Sequence, residues 1–149
     1  MPVEAAGGER VIGLSAEPLD VDRLVRAVRT DAHGAVVTFQ GTTRETSPGD
    51  PRAVVALEYE AYPLVAIPEM EAIAREVAER YGPLGIAILH RTGLVALGEA
   101  SVCIVVAAPH RGPAFDACHY AIDAVKSRVA VWKKELYRDG QGAWVENQV

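Results

Sequence analysis

The strand-forming stretches of this chain come in adjacent pairs. Residues 34–40 form a β-branched, apolar run, and residues 54–62 place Leu57, Tyr59 and Ala61 on one face with Glu58 and Glu60 on the other. Only a polar segment, 42–52, separates them. Residues 86–90 and 101–108 repeat the arrangement, with Gly93 and Gly98 punctuating the link between them. Parallel neighbours need a crossover of about a dozen residues or more, usually a helix. Strands that follow one another without a helix therefore favour an α+β fold, with a mixed or antiparallel sheet and flanking helices, over a doubly wound parallel sheet.

Three helices fit between these pairs. Asp20 can cap a helix over 21–29. A second starts at Pro63 or Pro68 and runs to Tyr81, where Gly82-Pro83 stops it. The third opens at Pro113, after which Phe115, Cys118, Ile122, Val125, Val129 and Trp132 recur every three or four residues, a stripe that continues through Trp132. Short strands at 11–14 and 143–145 complete the order β-α-β-β-α-β-β-α-β. The expectation is one domain over 11–149, preceded by a loose tail at 1–10.

Half of the 149 residues are apolar, enough for a core without disulfides or metal. The net charge of −5 argues against a nucleic-acid partner. Five of the fifteen basic residues nevertheless fall between Lys126 and Arg138, which suits a small anionic ligand. No stretch reads as a signal peptide or membrane span, so a cytoplasmic location is expected. Cys103 and Cys118 read as buried free thiols. A metal site from Cys118, His119 and His110 lacks a usual ligand spacing, and no metal is expected.

Four clusters can carry chemistry, each with a plainer reading beside it. Lys126 and Lys133 are seven residues apart, so one continuous helix would project both from one face, at the edge of the apolar stripe. A lysine there can have its pKa lowered and act as a base or nucleophile; the pair also fits two solvated lysines. His110 and Arg111 sit between a strand end and a helix start, where amide donors and cations can cradle a phosphate, or where they simply solvate a loop. Phe39 and Arg44 could stack on and clamp a planar anion, or be a core aromatic and an exposed cation. Glu135 could orient Lys133 or be an ordinary surface carboxylate, and Trp132 could serve the core.

Taken together, four segments resemble the large-subunit family of molybdopterin synthase, the MoaE family: GAVVTFQGTTR at 34–44, ALEYEAYP at 56–63, LGIAILHRTGLVALGEASVCIVVAAPHRGPAF at 84–115 and YAIDAVKSRVAVWKKE at 120–135. The resemblance spans roughly residues 11–146. It implies a hammerhead-type α+β fold and a homodimer within a heterotetramer, with a small ubiquitin-like sulfur-carrier subunit at each end. The carrier's C-terminal Gly-Gly thiocarboxylate would enter the pocket and donate sulfur, twice, to cyclic pyranopterin monophosphate, building the dithiolene with no metal or organic cofactor. The Gly7-Gly8 pair of this chain is internal and does not match such a tail.

The resemblance further implies roles for individual residues. Lys126 would contact the carrier's terminal carbonyl or thiocarboxylate, and Lys133 would act in acid–base steps or hold substrate. Arg44 would bind the phosphate or pterin, and Phe39 would line the pocket. His110 and Arg111 would be supplied by the other protomer. Thr42 stands where the family often has Lys, Ile122 where some members have Met, and Gln148 about where some have Arg. A different class of reading, a non-catalytic module that binds a small anion, would need Arg44, His110 and Arg111 but not both lysines. A scaffold that only presents a partner would bind no pterin phosphate.

Overall fold

A computed structural model describes residues 3–5 and 8–145. The elements are β1 (Val3–Ala5), β2 (Gly8–Ser15), α1 (Val21–Val28), β3 (Ala35–Thr42), β4 (Val54–Ala61), α2 (Pro63–Tyr81), β5 (Gly85–Arg91), β6 (Gly93–Ala96), β7 (Ala100–Ala108), α3 (Arg111–Arg128), β8 (Val131–Tyr137) and β9 (Gly142–Val145). They build two sheets. The first has five strands in the order β1-β2-β5-β7-β3, with only β2 and β5 parallel; the second has four antiparallel strands in the order β6-β4-β8-β9.

The architecture is the expected α+β, with strand pairs following one another in the chain. Three local readings differ. β1 and the start of β2 pair across residues 3–10, the stretch read as a tail, with Val3 opposite Arg10; residues 1, 2, 6 and 7 lie outside the described residues. β6 was read as part of a punctuated link. It is a four-residue strand, Gly-Leu-Val-Ala, that pairs antiparallel with β4.

The third difference matters most for function. The last helix does not reach Trp132. It ends at Arg128, where Val129 turns to an extended backbone and its N–H caps the Val125 carbonyl. The chain then re-enters the second sheet as β8. Residues 131, 133, 135 and 137 point inward, and Trp132, Lys134 and Leu136 point outward. Val129 and Trp132 continue a helical period by coincidence, and the β4 ladder, which offers a full set of backbone partners, decides the conformation.

The first sheet is covered on both faces. Ile86, Ile88 and His90 of β5 and Val102, Ile104 and Val106 of β7 face α2 and α3 in the main core, with Met70, Ile73, Ala117 and Ala121. Ala87, Cys103, Val105 and Ala107 face α1, which covers them with Leu24 and Val28. Gly85 lets α1 come this close: a Cβ there would lie 2.1 Å from the Val28 carbonyl oxygen. Partly exposed Arg128 joins α3 to α2 through Glu69 and Glu76 at 2.6–2.7 Å, and Tyr120 donates to Glu76 at 2.5 Å.

Candidate active site

The C-terminal end of α3 lies where the two sheets meet. Across the core face of the first sheet, Gly41 of β3, Val102 of β7, His90 of β5 and Leu14 of β2 form one continuous row. In the second sheet Tyr59 of β4 stands directly opposite Lys133 of β8, and Leu57 opposite Glu135. Paired residues in a ladder share a face, so Lys133, Glu135 and Tyr59 point the same way. The Tyr59 ring meets the His90 ring edge-on at 4.9 Å and joins the two rows. Lys126, near the end of α3, reaches the same place.

The electrostatics follow from that convergence. Burial holds Lys126 below the ordinary lysine range, and the charge of Lys133 adds to the depression. Burial lowers Lys133 as well; Glu135 pushes it back up, and Arg44 presses it down. The three cations therefore share one compartment and bear on one another. Glu135 is 5% exposed and accepts a 2.9 Å hydrogen bond from the Tyr137 hydroxyl. Burial also raises Tyr59, and the Glu135 charge reinforces that shift; Ser101 lies close by. The Ser101 hydroxyl in turn donates to the Gly41 carbonyl at 3.2 Å. A Cβ at Gly41 would sit 2.7 Å from a Val102 methyl, so a larger residue there would force the row to shift.

Arg44 follows β3 on a loop that is tied down at both ends. The Thr43 N–H donates to the Glu99 carbonyl, the Gly98 N–H donates to the Thr43 carbonyl, and the Val54 N–H donates to the Glu45 carbonyl. Further along, Arg52 pairs with Asp50 at 2.6 Å and stacks over Tyr137, the residue that donates to Glu135. That ion pair holds Asp50 well below the usual carboxylate range, at about 2.

Phe39 and Ile122 line a second, adjoining groove between β3 and α3, together with Val37, Phe115 and Cys118, and Lys126 stands at its end. The structure thus gathers Lys126, Lys133, Arg44, Glu135, Phe39 and Ile122 into one region. It does not bring His110 and Arg111 there. Both are exposed at the start of α3. Fifteen residues of helix separate Arg111 from Lys126, about 22 Å.

Sequence reasoning passed over Tyr59 and His90 as site residues. His90 follows Ile86 and Ile88 with period two, and a histidine continuing an apolar face was the available signal. Cys103 and Cys118 are free, buried thiols pushed up to about 11 by burial, and inert on that account. Among the described residues no group of three or more His, Cys, Asp or Glu could hold a metal, and no helix is long and apolar enough to cross a membrane.

Residues 14–128 match the family model described as MoaE protein. The chain belongs to the MoaE family. Among curated MoaE relatives, the molybdopterin synthase catalytic subunit of Oryza sativa subsp. indica is 43% identical over 99% of this chain and 78% of its own length. That of Bacillus subtilis is 38% identical over 91% of this chain and 85% of its own. The crystal structure of molybdopterin synthase from Staphylococcus aureus superposes with a TM-score of 0.81 at 33% identity, covering 95% of this chain and 98% of that one. The MoaE fold is also shared with a chain from the Helicobacter pylori complex of subunits 1 and 2 of molybdopterin-converting factor, at a TM-score of 0.69 and 18% identity.

Proposed function

We propose that this chain is the catalytic subunit of a molybdopterin synthase. It takes sulfur from the C-terminal thiocarboxylate of a small carrier subunit and places it on cyclic pyranopterin monophosphate, forming the dithiolene needed for molybdenum-cofactor biosynthesis. The observation that carries this reading is the convergence of Lys126, Lys133 and Arg44, from three different elements, on one partly buried compartment.

The chemistry needs such a compartment. A thiocarboxylate and a phosphate monoester are both anions, and three cations offset their repulsion. Fixed positive charge also stabilises negative charge that develops on oxygen as sulfur adds, and does so more effectively away from bulk water. An amine with a depressed pKa can give and take a proton closer to neutrality than an ordinary lysine. In this reading Lys126 meets the carrier's terminal carbonyl or thiocarboxylate. Lys133, set against Glu135, serves acid–base steps or holds substrate, and Arg44 binds its phosphate or pterin. The groove past Phe39 and Ile122, which ends at Lys126, suits an extended Gly-Gly tail, because glycines need little width and are recognised through their backbone.

The reading also assigns a homodimer with a carrier at each end, working in the cytoplasm. The distance between Arg111 and Lys126 along α3 supports that assembly, since His110 and Arg111 can complete a pocket only if a second copy brings them. Reconstitution tests the whole assignment. A thiocarboxylated carrier and cyclic pyranopterin monophosphate are mixed with this chain, and dithiolene pterin is followed by mass spectrometry. Product that depends on the chain is expected. Its absence, while another large subunit works under the same conditions, would leave only an anion-binding module.

A further inference from the structure

We infer that Tyr137 is a positioning residue for this reaction: its hydroxyl, with Arg52 closed over its ring, holds the Glu135 carboxylate beside Lys133 without letting the two close an ion pair. The inference rests on the sulfur-transfer reading above, but its structural content can be measured without turnover.

Lys133 and Glu135 are two residues apart on β8 and share its inward face, opposite Tyr59 and Leu57. A carboxylate and an ammonium set side by side and largely withdrawn from water attract each other strongly. Among the described residues, however, the ion pairs include none between these two. The carboxylate is held from its other side. Tyr137, the next inward residue of β8, donates its hydroxyl to Glu135 Oε1 at 2.9 Å.

Tyr137 is built to hold still. It is buried, and its N–H donates to the Gln141 carbonyl at 2.9 Å. Its own carbonyl accepts from the Gly140 N–H at 3.0 Å, and the Arg138 N–H donates to the Ala53 carbonyl at 2.9 Å. The ring is covered by Arg52, whose guanidinium carbon lies 3.8 Å from the ring centroid. Asp50 grips that guanidinium through both carboxylate oxygens, at 2.6–3.2 Å. The Arg52 charge is thereby matched locally, so the side chain covers the ring instead of competing for Glu135. Burial, and after it the Glu135 hydrogen bond, raises the phenol, which therefore stays a donor at neutral pH.

The arrangement suits a reactive lysine. Arg44 and Lys126 bring positive charge to the same compartment, and Glu135 offsets it. A closed Lys133–Glu135 ion pair would go further: it would cancel the ammonium's field at an anionic substrate and tighten its hold on the proton. With Oε1 committed to Tyr137, the carboxylate steadies Lys133 and leaves both properties available. Arg44 stands at the start of the loop whose end carries Arg52, so one loop supplies a substrate cation and sets the Glu135 carboxylate.

The test has two arms. The first follows Lys133 in the whole chain, without substrate, by ¹³C NMR of labelled lysine side chains. Tyr137→Phe removes the hydroxyl and keeps the ring under Arg52. It should raise the Lys133 pKa by about one pH unit, because the released carboxylate turns to the lysine. In a Glu135→Gln background the same change should leave Lys133 where it is. An unmoved Lys133 in Tyr137→Phe, or an equal movement in the Glu135→Gln background, overturns the proposal. The second arm is the reconstituted reaction. Tyr137→Phe should lower kcat about tenfold with the substrate KM unchanged. Arg52→Ala should lower kcat about threefold alone and no further when combined with Tyr137→Phe. Full additivity would overturn the part given to Arg52, and wild-type kcat in Tyr137→Phe would overturn the part given to Tyr137. The Lys133 titration stands apart from the parent reading, which fails instead if reconstitution gives no product or Lys133→Ala stays active.

Discussion

Lys133 stands directly across the β4–β8 ladder from Tyr59, and that pairing puts its ammonium in the same compartment as Lys126, on a different element. Removing either amine should therefore damage the reaction without unfolding the protein, because neither side chain is part of the apolar core. Lys126→Ala and Lys133→Ala should each lower kcat by about 10² to 10⁴, the range of a lost acid–base or charge-stabilising group. Circular dichroism and thermal midpoint should stay close to wild type. Lys126→Arg and Lys133→Arg keep the charge but cannot release a proton, so the site that recovers with Arg is the one that acts by charge alone. An active Lys126→Ala, Lys133→Ala double variant would remove the catalytic assignment.

Burial and the charge of Lys133 depress the protonation of Lys126, which gives the pH dependence a sign. A cation needed in its charged form is lost as pH rises through its folded pKa. The alkaline limb of kcat/KM should therefore fall below the ordinary lysine value of about 10.4. Lys126 is lowered first by burial and then by Lys133. Lys133→Gln removes the second cause, so the limb that belongs to Lys126 should move to higher pH in the residual activity. A limb that stays in place would mean that the two charges are not coupled in solution.

How much of this was legible beforehand divides along a physical line. Strand pairs, the α2 stop at Gly82 and the α+β class follow from local period and turn chemistry, which the chain carries in every window. Lys126 and Lys133 were recognisable as a pair, but the geometry read for them was wrong. Their spacing suggests one helical face, whereas they reach one place from a helix and a strand. The β4 partner that makes residues 131–137 a strand is 70 to 83 residues away and leaves no mark on the local period. Tyr59 and His90 were missed for a related reason. Each reads as one more member of a core face, and only the meeting of the two sheets turns that face into a site wall.

His90 has a consequence for stability as well. Its folded value of about 4 lies below its ordinary 6.5. Between those pH values the unfolded chain binds the proton and the folded protein does not, so stability rises with pH across the window. It should be complete above about pH 6.5 and fall as pH drops toward 4, by up to about 3 kcal/mol from this group. Chemical denaturation at pH 7 and at pH 4.5 should show the loss in wild type and a nearly flat response in His90→Phe. Asp50 and Glu76, both held near 2 by arginines, lose their contribution as pH falls from the ordinary carboxylate range toward 2, so they overlap only the acid end of that window.

Gly85 marks a close approach of α1 to the first sheet. A methyl at that position would meet the Val28 backbone carbonyl at 2.1 Å, and a backbone atom cannot swing aside as a side chain can. Gly85→Ala should force α1 away from β5 and cost about 1–3 kcal/mol or more, as overpacking does. Urea denaturation should show a lower midpoint with an unchanged slope. Since α1 covers the sheet face opposite to Lys126, the residual folded protein should keep its kcat.

The final prediction concerns residues the single chain leaves apart. His110 and Arg111 open α3 and Lys126 lies near its other end, about 22 Å away along the axis. If a second copy completes the pocket, Arg111→Ala should be as harmful to turnover as a change inside the compartment, although it leaves that compartment of its own chain intact. Mixing is the sharper test. In a dimer of one Arg111→Ala chain and one Lys126→Ala chain, one pocket has its own Lys126 and receives Arg111 from the partner, while the other pocket lacks both. Random exchange makes half of the dimers hybrid, so about a quarter of the wild-type sites should recover from two inactive proteins. Recovery requires exchange of subunits, which mass spectrometry of the intact dimers can verify. Verified hybrids with no recovered activity would mean that each chain completes its pocket without its partner.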